Sequence, residues 1–121
     1  MAKKVRNALI DTIVDGIQDR KGTNITILDM RDVDSAVCEY FIICDGNSTT
    51  HTDAISDSVE DKVRETLGEK PLHAEGRTNA SWILLDFYSV IVHIFLRPTR
   101  EFYSLETLWS DAKRTDIPNI E

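Results

Sequence analysis

The fifteen residues Trp82-Ile-Leu-Leu-Asp86-Phe87-Tyr88-Ser89-Val90-Ile-Val-His93-Ile-Phe95-Leu96 constrain this chain more than any other stretch. They are almost all apolar and rich in β-branched and aromatic side chains, which crowd a helix but suit a pleated surface. Two strands joined by a tight turn at Tyr88-Ser89 therefore fit better than one helix. That turn pairs Phe87 with Val90, Asp86 with Ile91, Leu84 with His93 and Trp82 with Phe95. Strand alternation then sorts the side chains onto two unlike faces. Ile83, Leu85, Phe87, Val90, Val92, Ile94 and Leu96 make a core face. Trp82, Leu84, Asp86, Ile91, His93 and Phe95 make a second apolar face that carries an acid, an imidazole and an indole. Function is to be sought on that second face.

The flanking segments supply the rest of one domain. Lys3 to about Lys21 reads as an amphipathic helix, with Val5, Leu9, Ile13 and Ile17 recurring every four residues and Gly22 as its left-handed cap. Ile25–Asp29 is a short strand, and Cys38–Cys44 a continuous apolar strand of the kind covered on both faces. Asp45-Gly46-Asn47-Ser48 turns the chain, and Ser48 or Thr49 caps a helix that runs to about Leu67 and stops at Gly68. Ile55, Val59 and Val63 form that helix's buried stripe. Asp53, Asp57 and Asp61 stack opposite, a like-charge spacing that costs about 0.2–0.5 kcal/mol per pair. Pro71–Glu75 reads as an edge strand. Arg97-Pro98 restarts helical structure, with Ser104 as a further cap. The pattern predicts an α/β (α+β) domain over residues 1–112, a single mixed β-sheet of about five strands flanked by helices. Residues 113–121 read as a loosely ordered tail.

A chain of 121 residues holds one core and no second domain. No run reaches the length of a membrane span, and the start lacks a signal peptide's apolar core, so the cytoplasm is the expected location. Cys38 and Cys44, six residues apart on one strand, lie beyond disulfide reach and are expected to be reduced. Net charge is −7, and Asp32 to Asp61 contains eight acids without a Lys or Arg. Such a surface repels a phosphate backbone, which argues against sequence-specific nucleic-acid binding. It either keeps the protein soluble or attracts a basic partner.

Catalytic signals are thin. His51, His73 and His93 lie in different elements without metal-site spacing, and the cysteines lack C-x-x-C spacing, so no metal or cofactor is expected. Asp86 and His93 share a sheet face and form either an acid/base pair or a hydrogen-bonded packing pair. Gly46-Asn47-Ser48, between a strand and a helix, looks like the Gly-Ser turn of a nucleotidyltransferase. Such an enzyme also needs converging carboxylates for Mg²⁺, and Asp86 has none beside it on its hairpin face. Trp82 is either a core indole or an anchor for a partner.

Taken together, Ile27-Leu28-Asp29, Tyr40-Phe-Ile-Ile-Cys44, Gly46-Asn47-Ser48 with His51, Glu75-Gly76, Trp82-Ile-Leu-Leu-Asp86, Val92-His93-Ile-Phe95 and Arg100-Glu-Phe-Tyr103-Ser-Leu-Glu-Thr-Leu-Trp109 resemble the ribosome silencing factor, or Iojap-like, family. The resemblance covers roughly Val5 to Ala112. It implies a nucleotidyltransferase-like fold without the catalytic carboxylates, and a protein that is not an enzyme. It also implies binding to the large ribosomal subunit through ribosomal protein "L fourteen", blocking of small-subunit joining, lowered translation when nutrients are scarce, and a homodimer when free. Carried over residue by residue, the implied contact surface is Trp82, Phe87, His93 and Tyr103. This chain has Tyr88-Ser89 where the family usually has Gly-Asp. The competing expectations are a nucleotidyltransferase-type enzyme using Asp29, Asp86 and Ser48, and a general dimeric scaffold.

Overall fold

The computed structural model describes residues 8–120. The helix start expected at Lys3, with Val5, lies outside them. The first helix, α1 (Ala8–Asp19), buries Ile10, Ile13, Val14 and Ile17. The left-handed turn after it falls on Lys21, at φ 58°, rather than on Gly22. Gly22 serves a different need, because a Cβ there would sit 2.5 Å from the Ile17 side chain. β1 (Thr23–Asp29) and β2 (Tyr40–Gly46) follow, then α2 (Thr49–Leu67). Ser48 caps α2 by accepting the His51 N–H at 3.1 Å, and Gly68 closes it at φ 70°. Next come β3 (His73–Glu75), β4 (Trp82–Asp86), β5 (Val90–Leu96), α3 (Arg97–Tyr103), α4 (Leu105–Leu108) and β6 (Lys113–Ile117).

The strands form one mixed sheet in the order β3-β4-β5-β2-β1-β6. Neighbours are antiparallel except the central pair, where β2 and β5 run parallel with Tyr40 beside Val90 and Gly46 beside Leu96. The hairpin register is the one the apolar alternation demands, with Trp82 opposite Phe95, Leu84 opposite His93 and Asp86 opposite Ile91. Its core face packs under α1 and α2, where Ile83, Leu85, Val90, Val92 and Ile94 are fully buried against Ile13, Ile17, Ile55 and Val59. The helices themselves touch closely: a Cβ on Gly16 would lie 2.9 Å from the Val59 Cα, and Ser58 Oγ donates to the Gly16 carbonyl at 2.7 Å. The opposite face of the sheet carries a smaller cluster of Leu28, Met30, Phe41, Ile43, Phe95 and Leu105, roofed by α3 and α4.

Two further features depart from the sequence reading. The segment expected to be a loose tail contains β6, which pairs with β1 from Ile25–Ile117 to Asp29–Lys113. Its Lys-Arg-Thr-Asp-Ile sequence shows no apolar face because an edge strand exposed on both sides needs none. Backbone pairing holds it, with Thr26 donating to Asp116 at 2.8 Å and the Asn24 N–H to Asn119 at 2.7 Å. Second, the acidic stripe of α2 is not left to repel itself. Arg77, in the turn before β4, donates to Asp53 at 2.9 Å, to Glu60 at 3.1 Å and to Asp57, while Arg64 pairs with Asp61 at 2.9 Å.

Both cysteines are free thiols. Burial pushes both up, Cys38 to about 11 with the nearby Asp86 and Glu39 adding to the shift. Among the described residues no helix is long and apolar enough to cross a membrane.

Candidate partner-binding face

The second face of the hairpin is built by alternation and then partly roofed. Trp82 opens β4, and its side chain lies across the sheet toward β5. Its indole N–H donates to His93 Nδ1 at 3.1 Å. The indole ring centre is 4.9 Å from that of Phe95 and 4.6 Å from that of Tyr103 on α3. His93 is 4% exposed, and Phe41 meets it edge-on at 4.6 Å. Burial pushes the imidazole down to about 4, so the ring is neutral near pH 7. Since Nδ1 accepts, the ring proton sits on Nε2.

The surface itself is made by α3 and α4. Pro98 starts α3 in its favoured early position, and Ser104, at φ 48°, turns the chain into α4. Seven residues cannot bury two consecutive aromatics on one inward face. Tyr103 therefore leans on Trp82 at 49% exposure, while Phe102 stands out at 80% and Leu108 beyond the turn at 69%. A groove of about 420 Å³ runs over Trp82, walled by Ser81, Pro98, Thr99, Phe102 and Tyr103.

The structure thus gathers three of the four expected contact residues. Trp82 and Tyr103 reach the surface, His93 supports them from beneath, and Phe87 lies elsewhere. At 5% exposure Phe87 belongs to the core on the α1–α2 side, because it continues the inward alternation of Ile83 and Leu85. Phe102 and Leu108, exposed nearby in sequence, were not among the expected residues; for Phe102 the signal is the Phe-Tyr pair on a helix too short to hide both.

The groups of a nucleotidyltransferase-type centre do not converge. Asp29 ends β1 beside Tyr40 at the start of β2, whereas Ser48 follows the far end of β2. Seven strand residues separate them, about 20 Å. Asp86 lies at the Asp29 end but three strand spacings away, roughly 14 Å. Each is otherwise occupied. Asp29 is held below the usual carboxylate range by its hydrogen bonds from Arg31, Asp86 accepts the Tyr88 N–H at 2.8 Å, and Ser48 caps α2. Nor do Asp86 and His93 form an acid/base pair, since the imidazole's acceptor nitrogen is engaged by Trp82. Among the described residues no group of three or more His, Cys, Asp or Glu is placed to hold a metal ion.

Fold and face together define a three-layer α/β domain whose exposed chemistry is an aromatic turn on one side of a mixed sheet. The chain belongs to the family described as "Ribosomal silencing factor during starvation", whose model it matches over residues 3–121. It is 32% identical over 112 residues to the ribosomal silencing factor RsfS of Halalkalibacterium halodurans, covering 93% of this chain and 94% of that one. It is 38% identical over 99 residues to the Bacillus subtilis RsfS, covering 82% of each. A mouse protein named "Mitochondrial assembly of ribosomal large subunit protein 1" is 27% identical over 103 residues, 84% of this chain and 45% of that protein. Among solved structures, a Chromobacterium violaceum protein superposes with a TM-score of 0.79 at 28% identity, covering 84% of this chain and 83% of its own. A Bacillus halodurans protein gives 0.74 at 30% identity, covering 93% and 96%.

Proposed function

We propose that the chain binds the large ribosomal subunit through ribosomal protein "L fourteen" and keeps the small subunit from joining, lowering translation when nutrients are scarce. The observation that carries this reading is the exposed pair Phe102 and Tyr103 beside a fixed Trp82, with Leu108 exposed on the next short helix. Large apolar side chains at 49–80% exposure contribute little to folding and are the kind that dominate binding interfaces. A net charge of −7 favours a basic partner of the sort that coats ribosomal RNA. The names of the RsfS relatives point to the ribosome, and that of the mouse relative to its large subunit. The same reading makes the chain a non-enzymatic, cytoplasmic protein that pairs with a second copy when free.

Co-sedimentation tests it. The chain should pellet with isolated large subunits and, when small subunits are added, suppress their joining. Normal joining at saturating protein sinks the proposal. Phe102→Ala is the sharpest variant, because an exposed ring can be removed with stability unchanged within about 0.5 kcal/mol. It should weaken sedimentation with large subunits. Trp82→Ala is less clean, since it also strips the roof from His93 and Phe95. Saturable heat on mixing with ATP and Mg²⁺ would instead revive the nucleotidyltransferase reading.

A further inference from the structure

Arg100 lies on α3, beneath the aromatic turn rather than in it. At 8% exposure it is buried, and every one of its five N–H donors has a partner. Nε donates to Glu106 on α4 at 3.1 Å, and Nη2 reaches the same carboxylate at 2.6 Å. Nη2 also donates to Thr26 Oγ1 at 3.1 Å on β1. Nη1 donates to Asp45 at 3.1 Å at the end of β2 and to the Asn24 carbonyl on β1. One guanidinium therefore joins two strands and both short helices.

The backbone adds a sixth link, for the Ser104 N–H donates to the Arg100 carbonyl at 2.8 Å and closes α3 at the left-handed residue between the helices. Asp45 is itself 1% exposed and also accepts from Thr23 and Asn24, so the anchor beneath the guanidinium is rigid. Burial disfavours the Glu106 carboxylate, yet the Arg100 hydrogen bonds hold it below its usual range. The ion pair is intact near neutral pH.

This arrangement matters because of helix length. α3 has seven residues and α4 four, and helices so short do not hold their shape alone. Phe102 and Tyr103 sit on one, Leu108 on the other. The spacing of the exposed apolar groups follows from the angle at Ser104, and the Arg100 side chain reaches from α3 to both α4 and the sheet. We infer that Arg100, through Glu106 and Asp45, is the positioning residue of the partner-binding surface: it fixes α4 against α3 so that Phe102, Tyr103 and Leu108 present one shape. The inference rests on the aromatic turn being the surface that meets the large subunit. Arginine is needed because a lysine ammonium has three donors and no planar fork.

The test is Arg100→Lys in the full chain, with co-sedimentation against isolated large subunits and near-UV circular dichroism of the Trp82–Tyr103 contact. Arg100→Lys should weaken binding about tenfold or more and alter the near-UV signal while the far-UV spectrum stays native. Ile55→Val, in the core on the other side of the sheet, controls for general destabilisation and should bind like the parent chain. Glu106→Ala removes only the α4 arm and should also weaken binding, so the idea stands or falls even where Arg100→Lys does not fold. Parental binding by a folded Arg100→Lys, or by Glu106→Ala, overturns the inference, as does an equal loss in Ile55→Val. If the parent chain itself does not sediment with large subunits, the proposed function has failed instead.

Discussion

The indole N–H of Trp82 points at His93 Nδ1 from 3.1 Å, and this bond ties the surface aromatic to a buried neutral ring. Protonating His93 would put a hydrogen on the nitrogen that now accepts, and would place a charge in a site 4% exposed. The folded ring titrates at about 4 against 6.5 when unfolded, so below pH 6.5 the unfolded chain takes up a proton that the folded chain refuses. The contribution is therefore full above pH 6.5 and lost between 6.5 and about 4. Relative to His93→Phe, the parent chain should lose on the order of 3 kcal/mol over that window. Urea unfolding of both at pH 7 and pH 4 measures it. Parallel pH profiles would show that the folded ring titrates normally.

Tyr88 occupies φ 77°, and the Ser89 N–H bonds back to the Phe87 carbonyl at 3.0 Å, the pattern of a tight three-residue turn. A tyrosine at positive φ is strained, and its ring is 78% exposed. Tyr88→Gly should raise stability by about 0.5–1 kcal/mol, the relief of strain exceeding the extra freedom of the unfolded chain. A lower urea midpoint would mean that the tyrosine ring packs.

Arg77 gathers Asp53, Asp57 and Glu60 against the turn before β4. Arg77→Met keeps the stem and removes the charge. It should cost about 1 kcal/mol at low ionic strength and markedly less in 1 M salt, because these half-exposed acids repel through water. Equal losses at both salt concentrations would assign the role of Arg77 to packing.

Gly68 and Gly76 both have positive φ, 70° and 88°, but their surroundings differ. A Cβ at Gly68 meets nothing within 4 Å, whereas at Gly76 it would lie 2.0 Å from the Trp82 carbonyl oxygen. Gly68→Ala should cost about 1 kcal/mol and Gly76→Ala about 3 kcal/mol or more, read from thermal or urea unfolding. Similar costs would show that conformation alone governs both sites.

The hairpin was legible because its two faces differ in kind, so a one-residue slip would have buried Asp86 and exposed Val92. The two-residue connection was legible from the same alternation, but its strain was not, since nothing in Tyr88-Ser89 announces a positive φ. β6 could not be read because its stability comes from backbone pairing with β1, and the side chains of Lys113 to Ile117 carry no periodic mark of it. At the surface, Trp82 stood out as an indole on the odd face of the hairpin, whereas Tyr103 and Phe87 entered only through the family resemblance, and Phe87 stays on the core side where alternation had put it. Arg100 was invisible in a different way. A charged residue on a short helix reads as solvated until the ends of β1 and β2 bring Asn24, Thr26 and Asp45 around it.

The pairing of β6 with β1 also bears on what happens before the chain is complete. β1 contains Ile25-Thr-Ile-Leu28, and in the finished sheet one of its sides is taken by β2 and the other by β6. The partner residues lie 84 to 92 positions apart, so this border closes only after most of the sheet's other strands have been made. Until Lys113 to Ile117 arrive, an apolar strand presents a row of unpaired amides and carbonyls, a ready template for another copy's strand. The short, charged, mostly exposed strand that finally covers it offers no such invitation. Those five residues stop the sheet from growing.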